Sequence, residues 1–182
     1  MIRTLVWLVS GVLLGGIIHL IVILMLPALA SNDTWSRIAA LDTLNHAVVL
    51  PDVKAGEPNP LHLDPELVYA ACRLDLSDAP GLISGTLPLG FWSLAVYDRA
   101  GTVLYSTTNR DGIGQTLDLG LFNAAQTRLL AQQQLDVAEG LLIVESPADD
   151  VFAVVRLAVP HPAMRERFAE ALAGLDCGNM EE

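Results

Sequence analysis

The residues with chemical potential are few and scattered. Cys72 and Cys177 are the only thiols in the sequence, and they stand far apart in the chain. In an oxidising compartment two thiols of one domain are best read as a disulfide. Two buried free thiols or a metal pair are the alternatives, and the second lacks any C-x-x-C or matching His spacing. His46, His62 and His161 each lie near a Pro or in loop-like sequence. His62 with Glu66 makes a single His-x-x-x-Glu without a third ligand, so exposed loop histidines are the simpler account. No metal or cofactor is expected. The sequence Gly81-Leu82-Ile83-Ser84-Gly85 has the wrong spacing for a nucleophile elbow, and no phosphate-binding loop, dinucleotide fingerprint or EF-hand occurs.

Three polar clusters remain. Arg73-Leu74-Asp75-Leu76-Ser77-Asp78 alternates like a half-buried strand running into a turn. Asp98-Arg99 fits the tip of a hairpin. Thr107 to Gly112 follows a strand end, and Arg110 beside Asp111 has the chemistry to hold an anionic ligand or to pair locally. From these clusters Asp75, Tyr97, Arg99 and Arg110 are the candidate ligand-binding residues, and no catalytic residue is assigned.

The elements that must position them divide sharply by composition. The chain has 182 residues, 52% hydrophobic, with 10 Lys and Arg against 21 Asp and Glu and a net charge of -11. Arg3 is the sole charged residue before Asp33. Leu5 to Leu26, about 22 residues, would span about 33 Å as a helix, enough for a hydrocarbon core of about 30 Å. A cleaved secretory signal is the rival reading, because Pro27-Ala28-Leu29-Ala30 before Ser31 offers the small residues of a cleavage site. Its length favours an uncleaved anchor. Arg3 and the amino terminus place the N-terminal side in the cytoplasm, with weak support from the charge count. Within the span, Gly11, Gly15, Gly16 and His19 suit a helix-packing face, although glycines are common in such helices. The acidic remainder has no basic cluster, so nucleic acid is not an expected partner and the lipid bilayer is.

The expected organisation is a cytoplasmic stub over residues 1–4, an anchor over 5–27, a juxtamembrane helix, strand and loop over 28–60, a β-rich domain over 61–178, and an acidic tail over 179–182. Ser31 to Asp33 would cap a short helix over Thr34 to Leu41, followed by an apolar run from His46 to Leu50. Asp64-Pro65-Glu66 reads as a helix start, making Leu67 to Ala71 a helical turn that leads into a strand through Leu76. Further strands are expected at Leu82 to Leu87, Phe91 to Tyr97, Thr102 to Ser106 and Gln115 to Leu119, and as a pair at Leu141 to Glu145 and Val151 to Val159. Tyr97 to Thr102 is the strongest hairpin signal, its Gly101 able to take a positive φ. Asn123 caps a helix through Gln133. Pro162 opens a last helix carrying Met164, Phe168, Leu172 and Leu175, which Gly178 would stop. The fold class is therefore one transmembrane helix plus a β-rich α+β exported domain, mostly an antiparallel β-sandwich or jelly-roll-like, with a C-terminal helix.

The ordered string Asp64-Pro65, Val68-Tyr69-Ala70, Cys72-Arg73, Asp75-Leu76-Ser77-Asp78, Pro80, Trp92-Ser93, Tyr97-Asp98-Arg99, Gly101 and Tyr105-Ser106 resembles the family called domain of unknown function 1254, in its short membrane-anchored alphaproteobacterial form. The likeness runs from Leu13 to His19 through Val144-Glu145-Ser146-Pro147 to Cys177, nearly the whole chain. It implies a β-rich exported domain and a companion membrane protein carrying the domain of unknown function 1214, but no activity. The family pattern has Asn-Asp-Arg where this chain has Thr108-Asn109-Arg110, so only Arg110 carries over.

Together these observations lead to an expected role as an inner-membrane, single-pass envelope protein with a periplasmic binding or assembly module. The alternative is an envelope hydrolase acting on small lipophilic substrates. The chain shows no activated nucleophile or acid–base pair, which favours the first; a cavity in which the candidate residues converge would favour the second.

Overall fold

The computed structural model describes residues 2–29, 33–110, 115–133 and 140–180. The chain divides into two compact units, Met1–Asp33 and Thr34–Glu182.

The first unit is one helix, α1 (Ile2–Leu29). Within Ile2–Leu26 an 18-residue window has a mean hydropathy of 2.6, and none of that window is buried. A helix of this length and apolarity meets the length and composition requirement for crossing a bilayer, as a signal sequence also does. The proposed cleavage site after Ala30 and the caps Ser31 and Asn32 lie outside the described residues.

The second unit is built on two sheets. A five-stranded sheet has the order β1 (Val48–Val49), β2 (Leu67–Asp75), β8 (Asp150–Ala158), β4 (Trp92–Asp98), β5 (Val103–Thr108). A four-stranded sheet has the order β7 (Leu142–Ser146), β6 (Thr116–Asn123), β3 (Gly81–Thr86), β9 (Asp176–Asn179). All pairings are antiparallel except β6 with β7. Period-2 alternation sends Val68, Ala70, Cys72 and Leu74 of β2, Val151, Ala153, Val155 and Leu157 of β8, and Trp92, Leu94 and Val96 of β4 into one core. Ile83, Leu117, Leu119, Leu121 and Val144 meet them from the other sheet. This is the expected β-sandwich class.

Four helical segments complete it. α2 (Thr34–Ala39) lays Trp35 and Ile38 on the outer face of the five-stranded sheet, against Tyr69, Ala71 and Phe152. That face is covered as well, which explains why β2 and β8 read as nearly continuous apolar runs. α3 (Ala124–Gln133) begins where expected. The Asn123 side-chain oxygen accepts from Ala125 N and Gln126 N, while Gln126 Oε1 accepts from Asn123 N at 2.8 Å, a reciprocal cap. After a 3-10 turn over Pro162–Met164, α4 (Arg165–Ala173) inserts Phe168 and Leu172 into the core.

Several expectations are corrected. Leu67 to Ala71 is strand, because β2 pairs with β8 over its whole length and buries both faces, which outweighs the local Asp-Pro-Glu helix signal. β7 and β8 are not a pair: β7 adds in parallel to β6 in the four-stranded sheet, and β8 sits at the centre of the other. The last helix stops at Gly174, not Gly178. Gly178, Cys177 and Asn179 belong to β9, which pairs with β3, so the tail expected from 179 begins inside a strand. Residues 181 and 182 lie outside the described set. The β4–β5 hairpin is as expected, with Gly101 at φ 84 and Thr102 N donating to Asp98 Oδ1 at 2.8 Å.

Cys72 of β2 and Cys177 of β9 come to disulfide distance, with Cα atoms 6.6 Å apart. Both are buried in the core. The link thus runs between the two sheets, a placement that sequence spacing alone does not reveal.

Candidate functional site

The outer face of the five-stranded sheet is organised in cross-strand rows. One row carries Arg73, Phe152 and Tyr97; the next Ala71, Val154, Ala95 and Ser106; the third Tyr69, Arg156, Ser93 and Thr108. Neighbours in such rows stand about 4.5–5.5 Å apart at Cβ, so their side chains form a continuous surface.

At one end of this surface is an aromatic cluster. Tyr97 stacks on Phe152 with ring centroids 4.9 Å apart, and Trp35 meets Phe152 edge-on at 5.9 Å. Arg73 and Arg99 lie over the Trp35 ring, 5.3 and 5.8 Å from its centroid. Arg73 Nε also donates to Thr43 Oγ1, whose hydroxyl donates to Ile38 O, tying α2 to β2. These contacts serve packing and cation–π attraction.

Beside the cluster opens a cavity of about 290 Å³ lined by Ile38, Leu50, Tyr69, Tyr97, Phe152 and Arg156, with the segment Leu61 to Leu63 as one wall. That wall is held from two sides. Asn59 clamps Leu63 through both its amide atoms, and Tyr69 Oη accepts from Asp64 N at 3.0 Å. His62 sits there with φ 52. A second cavity of about 330 Å³ is lined by Phe91, Ser93, Ser106, Thr107, Thr108 and Arg156, among others. Arg156 borders both. Among the described residues its buried Nε has no hydrogen-bond partner and the side chain forms no ion pair. The Thr107 hydroxyl, on a residue 2% exposed, has no partner among the described residues either.

The four candidate residues do not gather at one point. Tyr97 lines the first cavity. Arg99 is at the hairpin tip, 3.8 Å from Asp150, with side chains 69% and 51% exposed, so the pair is solvent-screened and weak. Asp75 ends β2 opposite Asp150 in the ladder. Its carboxylate accepts from the Ser77 hydroxyl at 2.6 Å and from Ser77 N at 2.9 Å, which holds its pKa below the usual value. Arg110 lies at the opposite end of β4 and β5, where Ser93 faces Thr108, on the order of 15–20 Å from the Arg99 tip by strand rise. Asp111 lies outside the described residues. Asp75, Tyr97 and Arg99 therefore share one end of the sheet and Arg110 does not.

Sequence reasoning missed Arg156, Tyr69 and Phe152. The signal for the first was present: Arg156 is the single charge in Val151 to Val159, an anomaly for a central strand. Chemically, among the described residues neither cavity lining contains an Asp or Glu. Among the described residues, His62 and the hydroxyls therefore have no carboxylate in these linings for acid–base work. Among the described residues no group of three metal-capable side chains clusters.

No protein-family model matches the chain, and no curated protein matches it. Among solved structures, the chain is similar to the VPA0106 protein of Vibrio parahaemolyticus at 12% identity and a TM-score of 0.53, over 65% of this chain and 29% of that one. It also matches an uncharacterized protein from Burkholderia cenocepacia at 12% identity and a TM-score of 0.42, over 64% of this chain and 30% of that one. The chain thus spans under a third of each of these proteins, and the first likeness bears on the fold of the β-rich unit alone.

Proposed function

We propose that this chain is a membrane-anchored cell-envelope protein of the domain of unknown function 1254 type. In this reading α1 is a single-pass inner-membrane anchor with a cytoplasmic N-terminus. The β-rich unit is periplasmic and works as a binding or assembly module beside a membrane partner of the domain of unknown function 1214 type. The observation that carries the binding role is the outer face of the five-stranded sheet, where two cavities meet at Arg156 and, among the described residues, no carboxylate lines either cavity to activate a nucleophile. The length and apolarity of α1 support the anchor, and a cysteine pair at bonding distance suits an oxidising compartment. The hydrolase reading has less support, because Asp75, Tyr97, Arg99 and Arg110 do not converge.

Crosslinking in native membranes followed by purification of the full chain tests the proposal. Recovery with a discrete membrane partner, and protease sensitivity of the β-rich unit from the periplasmic side, are the expected results. Recovery as an isolated monomer, or as a mature species beginning at Ser31, overturns the assembly or the anchor part respectively.

A further inference from the structure

Arg156 is out of keeping with its chain. Carboxylates outnumber Lys and Arg by 21 to 10, yet among the described residues the partly buried Arg156 has no acidic partner and, unlike Arg73, no hydrogen bond or aromatic ring in its place. Holding it in the centre of a sheet costs desolvation, and that cost is ordinarily offset by a paired carboxylate or by saturated hydrogen bonding. Asp52 and Asp150 show that acids of this domain do pair with arginines, Arg165 and Arg99. Arg156 instead faces two cavities, with Ser93 beside it in the ladder and Tyr69 on its other side.

Resting on the reading of this domain as a binding module, we infer that the outer sheet face takes a small lipophilic anion. Its carboxylate or phosphate head lies on the Arg156 guanidinium, and its apolar body lies over Tyr97, Phe152, Leu50 and Ile38. The guanidinium fork matches either head group with two parallel hydrogen bonds. A cavity of about 290 Å³ with an aromatic and aliphatic lining supplies the apolar part of the site. The overall negative charge of the domain repels anions in general, so a bound anion depends on the local pairing with Arg156.

The test is calorimetric titration of the full chain in lipid nanodiscs, with empty discs subtracted, using octanoate, octyl phosphate and octanol. Both anions are expected to bind at least about tenfold more tightly than octanol, and Arg156→Gln to bring them down to the octanol level. Arg128→Gln, an exposed charge on α3, serves as the control and leaves the titrations unchanged. Preference for octanoate assigns the ligand to fatty-acid-type carboxylates, and preference for octyl phosphate to lipid phosphates; either supports the inference. Absence of anion binding, equal binding of octanol, or the same loss in Arg128→Gln overturns it. Should Arg156→Gln fail to fold, the contrast between anions and octanol on the unaltered chain still decides. Partner crosslinking is read separately: a captured partner with no anion bound sinks this inference alone, and anion binding without a partner sinks only the assembly role.

Discussion

Reduction of the Cys72–Cys177 link is the perturbation whose size the structure fixes most directly. The two residues are 105 positions apart, and closing a loop of that length removes chain entropy from the unfolded state worth about 4.7 kcal/mol at 25 °C. The link joins β2 of one sheet to β9 of the other, so it holds the sandwich shut, and its loss leaves the short β9 dependent on its pairing with β3. With a urea dependence of about 2 kcal/mol/M, the denaturation midpoint should fall by about 2 M, and the melting temperature by about 10–19 °C. Paired urea titrations of the full chain with and without reductant, followed by tryptophan fluorescence, measure this. A thiol assay on the oxidised protein runs beside them. If both thiols titrate in the native oxidised protein, the link does not exist. If they are blocked yet the midpoint is unmoved by reduction, the loop-entropy reasoning is wrong for this domain.

Three further outcomes follow from other contacts. Arg165 donates to Asp52 Oδ1, Pro65 O and Leu67 O, fastening the start of α4 to the chain on both sides of the Leu61 to Leu63 wall. Arg165→Leu should cost about 1–2 kcal/mol after allowance for solvent exposure, read from the urea midpoint at pH 7. The same hydrogen bond lowers the Asp52 pKa below its ordinary value, so that contribution is present above the unfolded carboxyl range near pH ~4 and is lost as pH falls through the folded value. Urea midpoints between pH 6 and pH 3 should therefore drop less in Asp52→Asn than in the unaltered chain, and an equal drop would contradict the assignment. Asn123→Ala removes the α3 cap together with the bonds from its amide to Leu76 O and Asp149 Oδ1. A loss of about 1–2 kcal/mol is expected, and a change within error would show that α3 docks without its cap.

The sequence made the hairpin at Asp98 to Gly101, the Asn123 cap and the inward stripe of Phe168 and Leu172 legible because each is a local signal. Turn residues, capping side chains and helical spacing all act within a few positions. What escaped depended on distant partners. Leu67 to Ala71 is a strand because Val151 to Ala158 lies beside it, and no local pattern outvotes Asp-Pro-Glu. β9 is four residues long and carries a glycine, so nothing but its pairing with β3 identifies it. The site followed the same rule. Arg99 and Arg110 drew notice as polar residues in loops, whereas Arg156 is hidden within an apolar run, and its meaning depends on the cavities that α2 and the Leu61 to Leu63 wall create around it.

The central ladder has a consequence for how the protein is made. Ala71 pairs with Val154, about eighty positions later in the chain, and every register partner of β2 in β8 is comparably remote. At a synthesis rate of about 5–20 residues per second, β2 waits roughly 4–16 s for its neighbour. During that interval a nine-residue strand with apolar side chains on both faces has the backbone donors and acceptors of its β8 edge open, since β1, which comes earlier in the chain, pairs only its other edge. Such a strand is a template for pairing with another copy of itself, so the nascent chain is most vulnerable to aggregation in this window. A holding factor that covers Leu67 to Leu74 until β8 emerges would raise the yield of folded protein without altering its final stability.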